Sequence, residues 1–187
     1  MRSLRVPPHT LRWYAEGAHC VDPQNGDLVL VAHSTFLARV IRFGQRLLAV
    51  FHSEYRGFTW ANHSALVRFG DDGFNLSEMG PRGHERRDLK DYQAKLYCVV
   101  HFEMSGAQVE TVTLNDYSCK DIEYGFAQYP PMIFDCFTGG ALWAGWGDAM
   151  ICSTHTTECL IGGGLWPDVP AGGVFPARQA MWVGALH

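Results

Sequence analysis

The sequence predicts an α+β fold, a small antiparallel sheet packed against helices, on three observations. Apolar strand-like segments cluster between Gly26 and Glu103. Helical spacing appears among them at Thr35–Leu48 and then returns late, after an aromatic irregular stretch. Strands and helices therefore do not alternate as a doubly wound α/β sheet requires. Finally, 187 residues with 47% hydrophobic and 18% charged side chains suit one domain with a real core.

Taken in order, residues 1–24 read as an irregular arm broken by Pro7, Pro8 and Pro23, ahead of a domain at 25–187. "GDLVLV" at Gly26–Val31 is a turn followed by a buried strand. In "TFLARVIRFGQRLL", Phe36, Val40, Ile41, Phe43 and Leu47 recur at helical spacing. Ser53–Thr59 reads as a loop. "NHSALVRF" at Asn62–Phe69 is a strand, Asp71–Gly73 a hairpin turn and Phe74–Met79 the returning strand. Ala94–Glu103 is apolar enough for a central strand. Gly106–Asp116 is read as a helix with Val109 and Val112 on its inner face. Tyr124–Gly140 is aromatic and irregular. Ser153–Ile161 is read as a helix stopped by Gly162–Gly164, and Pro176 opens a last short helix to Gly184. No internal repeat is present.

Several function classes are set aside by composition. The net charge of -4 and a pI near 6.1 argue against a nucleic-acid partner, because phosphate contacts need clustered Lys and Arg. The short basic spots Arg39–Arg46 and Arg82–Arg87 read as solvated surface. No run approaches the ~18 apolar residues of a membrane span. The first residues lack the apolar core of about 7–15 residues that marks a secretory signal. The expected location is cytoplasmic, or virion-associated if the chain is phage-encoded. The six cysteines form no C-x-x-C pair, which argues against a zinc ribbon or a disulfide framework.

The stretch "DAMICSTHTTECLIGGG", Asp148–Gly164, poses the chemical question. A cysteine at a helix N-terminus is turned toward the thiolate by unpaired N–H groups and the helix dipole. Cys152 holds that position, whereas Cys159, two turns on, suits the core. The other reading of Cys152 is a small buried side chain. A base must come from elsewhere. His63 opens an apolar strand, where its ring would be held in one orientation; a structural histidine is the alternative. Glu78 lies across the Asp71–Gly73 hairpin, within reach of His63. Cys152, His63 and Glu78 then make a nucleophile, base and orienter. Candidate oxyanion or substrate groups are the Cys152 backbone N–H, Tyr124 and Ser153. His155 is placed to mimic an orienter, and His84 and Glu85 are read as facing solvent. Cys152, His155 and Cys159 have C-x-x-H-x-x-x-C spacing, but a fourth ligand and acidic neighbours are missing, so neither a metal nor a cofactor is expected.

These elements, in this order, resemble the circularly permuted NlpC-like branch of the papain-fold cysteine hydrolases, the YiiX/YaeF group. "GDLVLV", "NHSALV", "NLSEMG" and "ICSTHTTECL" are similar to its strand, histidine, glutamate and "CS" nucleophile segments. "LIGGGLW" and "VFPARQAMWVG" match its tail, and "DIEYGF" resembles its tyrosine stretch without the glycine. The likeness covers Gly26 to Gly184. It implies a permuted papain-like domain with Cys152 as nucleophile, His63 as base and Glu78 as orienter. Two departures stand out. Thr154-His155 follows "CS" where the group carries Glu-Leu or Glu-Phe. "FDCFTGG" resembles the "DCSG" motif of unpermuted relatives, making Cys136 a rival nucleophile, but no histidine-led strand follows it.

The resemblance implies hydrolysis of an amide, in a cell-wall peptide or a lipid amide. Trp143 and Trp146 would help wall the cleft. The competing expectation is a phage virion or tail-associated protein that uses a papain-like fold for docking, with or without wall hydrolysis.

Overall fold

The computed structural model describes residues 6–70, 73–125, 150–166 and 174–187. It is an α+β arrangement. Six strands form one antiparallel sheet: β1 (His9–Tyr14), β2 (Leu28–Val31), β3 (His63–Gly70), β4 (Gly73–Gly80), β5 (Gly83–Asp88) and β6 (Tyr97–Phe102), in the order β1-β6-β2-β3-β4-β5. Four α-helices are described: α1 (Phe36–Phe51), α2 (Gly106–Ser118), α3 (Cys152–Gly162) and α4 (Pro176–Trp182).

Strand β2 is buried on both faces, which is why it reads as the unbroken apolar run LVLV. Leu28 and Leu30 point into a core with Leu66, Val100 and Phe102 of the sheet, Val112 of α2, and Cys159 and Leu160 of α3. Val29 and Val31 point the other way, against Val67, Leu76, Tyr92 and Tyr97. Helices α2 and α3 meet closely at a glycine. A methyl group on Gly163 would stand 2.5 Å from Val112 Cγ2.

Two strands depart from the sequence reading. The expected irregular arm contains β1, paired along its length with β6 from His9↔Phe102 to Tyr14↔Tyr97. Pro7 and Pro8 sit just before it, where they break no ladder bond. The basic stretch around Arg82–Arg87 is the edge strand β5, paired with β4. An edge strand tolerates charge on its open side, so neither strand shows the apolar pattern of a core strand.

Helix α1 starts at Thr35, whose hydroxyl accepts from the Ala38 N–H. Its inner face is Ala38, Ile41, Gln45 and Leu48. Of the residues whose spacing predicts the helix, Ile41 is buried, whereas Phe36 and Phe43 are 83% and 64% exposed. Ser53–Tyr55 forms a short 3-10 turn within the expected loop. Asp71 and Asp72 of the expected turn lie outside the described residues, although Gly70 and Gly73 pair beside them. Most of the aromatic stretch, including Cys136, also lies outside them, as do Trp143 and Trp146.

Candidate active site

Three elements place the catalytic candidates. Cys152 is the first residue of α3, after an N-cap, Ile151, that offers no side-chain hydrogen bond. The first N–H groups of a helix have no intrahelical acceptor, so this end favours a negative sulfur. His63 is the first residue of β3. Strands β3 and β4 pair Leu66 with Ser77, and extending that register sets Ala65 opposite Glu78. His63 shares Ala65's face, so its ring reaches Glu78 diagonally.

The His63 Nε2–H donates to Glu78 Oε2 at 2.7 Å, which leaves Nδ1 for Cys152. Glu78 is buried and has two further partners. The Tyr92 hydroxyl donates to Oε2, and Arg87 Nε lies 2.5 Å from Oε1 as an ion pair. Burial alone would raise the Glu78 pKa, but His63, Tyr92 and Arg87 outweigh it and hold it at about 2. Burial likewise disfavours a charged His63. The Cys152 thiolate and the Glu78 carboxylate overcome this and raise its pKa. Burial disfavours the Cys152 thiolate, yet His63 and the Ser64 backbone N–H lower the thiol. All three shifts describe one arrangement, a thiolate and an imidazolium backed by a carboxylate.

The pocket above Cys152 encloses about 430 Å³. Phe36, Leu37 and Ile41 of α1 form its apolar wall, with Met79 and Tyr124 beside them. His33 also lines it, edge-on to His63 with ring centroids 4.9 Å apart. Burial, then the neighbouring His63, push His33 down to about 3, so it stands neutral beside the imidazolium. Asn62 braces this corner. Its Oδ1 accepts from the His33 N–H at 2.7 Å, and its Nδ2 donates to the His33 and Ala38 carbonyls.

Other expectations need correction. The Ser153 hydroxyl is fully buried and donates to the Val174 carbonyl at 2.6 Å, so it holds the fold and is not offered to a substrate. Tyr124 does line the pocket and bridges to Met150 just before α3. His84 does not face solvent. Its side chain is 8% exposed, and Nε2 lies 2.7 Å from Ser77 Oγ and 3.2 Å from Asp116 Oδ1. Glu85 is occupied by Arg82 and Arg87. His155 is fully buried and donates to Asp116 Oδ1 at 3.0 Å, away from the candidate triad. Asp116 also takes the Ser77 hydroxyl and lies 3.2 Å from Arg68 Nε. This network joins the helix layer to the sheet.

The helical set Cys152, His155 and Cys159 is not assembled as a metal site. Among the described residues, ligand atoms of Cys119, His155 and Cys159 lie within 4.8 Å of one another, while Cys152 serves His63. Cys159 is buried in the core, as its place two turns into the helix predicts. The described cysteines are free thiols.

The run of hydroxyls in α3 has a structural answer. The helix is enclosed, and the Gln179 Nε2 of α4 donates to the Ser153 carbonyl and to the Thr156 and Thr157 hydroxyls. Thr156 Oγ1 also meets Ser64 Oγ at 3.1 Å. Buried polar groups need such partners.

Tyr92, Arg87, Asn62 and His33 carry no local signal that assigns them to the site. Asn62 is the nearest to one, since it directly precedes His63 ahead of an apolar strand.

No protein-family model matches the chain, and no curated protein sequence matches it.

Proposed function

We propose that this protein is a cysteine hydrolase that cleaves an amide bond, with Cys152 as nucleophile, His63 as general acid and base, and Glu78 as the group that orients His63. The supporting observation is the convergence of these three side chains, from α3, β3 and β4, on one pocket with Glu78 hydrogen-bonded to His63. The order of the elements and the sheet-on-helix packing fit a circularly permuted papain-like domain, the family that the motifs resemble.

In this reading the Cys152 thiolate attacks the amide carbonyl carbon, forming a C–S bond and an oxyanion. The backbone N–H of Cys152, at the start of α3, is the candidate donor to that oxyanion. As the C–N bond breaks, the His63 imidazolium gives its proton to the leaving nitrogen, and a thioester remains. Neutral His63 then takes a proton from water, and the hydroxide attacks the thioester. The acid leaves, and the proton on His63 restores the starting ion pair. Glu78 keeps its charge throughout. The substrates that the family resemblance suggests are cell-wall peptides and lipid amides.

The test is thiol alkylation by iodoacetamide as a function of pH, with the label located by mass spectrometry. Cys152 should label first, with an apparent pKa well below the ~8.5 of a free thiol, and His63→Ala should remove that advantage. Cys119 is the internal control. It is lowered to about 7 through its hydrogen bond with Cys159 and is as buried as Cys152, at 5% against 3% exposed, but it does not touch His63, so His63→Ala should leave its labelling unchanged. Equally slow labelling at Cys152 and the other cysteines refutes the mechanism.

A further inference from the structure

Helix α1 has a second apolar stripe that the fold does not use. Phe36, Val40, Phe43, Leu47 and Val50 follow alternating steps of four and three residues, so they share one side of the helix. On that side Phe36 is 83% exposed, Phe43 64% and Val50 68%. Isolated exposed apolar residues are ordinary, but a contiguous row of them marks an interaction surface.

The charge on α1 identifies the partner. The helix carries Arg39, Arg42 and Arg46 and has no acidic residue. At 100° per residue the three arginines lie along one border of the apolar stripe. Arg42 and Arg46 both line a cavity of about 310 Å³ with Thr59, Trp60, Leu96 and His187, and none of its lining side chains is acidic. Arg42 Nη2 donates to the His33 carbonyl at 3.2 Å, but its Nε is buried without a partner. Two guanidinium groups beside one cavity suit a phosphate, which accepts several N–H donors at once. A helix with an apolar face, a basic border and no acid fits the surface of an anionic bilayer. Pairing of α1 with a second copy fits less well, since α1 offers no carboxylate to receive the arginines of its partner.

We propose that the outer face of α1 lies on an anionic phospholipid surface, with Phe36, Phe43 and Val50 among the acyl chains and a lipid phosphate held between Arg42 and Arg46. The adjoining side of the same helix walls the Cys152 pocket through Leu37 and Ile41, and the exposed Phe36 stands at the edge that the two sides share. A lipid amide would then pass from the bilayer to the thiolate along α1. This last step rests on the hydrolase reading; the docking itself does not.

Co-sedimentation with vesicles tests the docking. One set is pure phosphatidylcholine and the other contains phosphatidylglycerol. The expected result is binding to the anionic vesicles that weakens with salt and is poor on phosphatidylcholine. Arg46→Gln should lower the partition coefficient about five-fold, and Phe43→Glu at least about ten-fold. Both residues are exposed, and circular dichroism checks that each variant folds. Cys152→Ala should bind as the wild type does, which separates failure of docking from failure of catalysis. Equal binding to both vesicle types, or none to either, overturns the proposal. Saturation by inorganic phosphate without vesicle binding assigns the arginines to a free anion and overturns it as well. So does self-association that Phe43→Glu abolishes in the absence of lipid.

Discussion

Replacing Glu78 by Gln keeps the shape of the side chain and an oxygen for His63 but removes the charge. In the folded protein the carboxyl falls from 4.5 to about 2. At 1.36 kcal/mol per unit this is about 3 kcal/mol in favour of the ionised form. It is net of a burial penalty, and His63, Tyr92 and Arg87 share it, with His63 the largest contributor. A His63 share of about 1–2 kcal/mol acts equally on the imidazolium, since the interaction is mutual, and corresponds to about one pH unit. Amide cleavage begins as Cys152 loses its proton and ends as His63 loses the one that it gives to the leaving nitrogen. Glu78 opposes the first step, because its charge repels the thiolate, and stabilises the proton lost in the second. Glu78→Gln should therefore lower the alkaline limit of amide hydrolysis by about one pH unit. The acid limit should stay in place or move slightly down. The assay is kcat/KM for an amide substrate across pH, with iodoacetamide labelling at Cys152 locating the acid limit independently. An alkaline limit that does not move would refute the assignment of Glu78 as the counter-ion of His63.

Three further outcomes are expected. Cys152→Ala should reduce amide hydrolysis by on the order of 10³-fold or more, while urea denaturation shows a stability close to wild type. Asn62→Ala should cost roughly 2–3 kcal/mol in the same denaturation assay, because three hydrogen bonds at a buried corner are lost and the His33 and Ala38 backbone groups are left without their partner. Acid should destabilise the fold in a defined window. Glu78 and Asp116 both have pKa values below those of the unfolded chain, so the unfolded state binds more protons. Their stabilisation is complete above the ordinary carboxylate range and is lost as the pH falls through about 4.5 toward 2. Thermal melts on either side of pH 4.5 check this, and a melting temperature that rises on acidification contradicts it.

How far the site was legible depends on the distance each contact spans in the chain. The helix N-terminus at Cys152 is marked by the Ser-Thr run after it and the glycines that end it. His63 and Glu78 belong to one hairpin, so the period-two pattern of its strands also sets which face they share. The partners that steady them come from farther away or from polar segments without periodicity. Tyr92 belongs to a 3-10 turn and Arg87 to an edge strand that reads as surface charge. Asp116, on α2, joins Ser77 and His84 to His155, across separations of up to 39 residues. His84 has no apolar neighbours to signal that it is buried, and Ser153 looks the same in sequence whether its hydroxyl meets a substrate or the Val174 carbonyl.

The sequence by itself determined the α+β class, the buried central strands β2 and β6, the four described helices and the hairpin that joins His63 to Glu78. All of these follow from apolar periodicity and from turn and cap residues, which act over a few neighbouring positions. Only the tertiary structure decided that the first residues supply a strand, that Asp116 ties helices to sheet, and which stripe of α1 is buried. Helix α1 carries two apolar stripes, and its own sequence contains nothing that ranks them. Ala38, Ile41 and Leu48 face inward with Gln45, whose amide donates to the Ala61 carbonyl and whose oxygen accepts from the Ala177 N–H. Those two bonds to distant backbone leave the phenylalanines of the other stripe facing out.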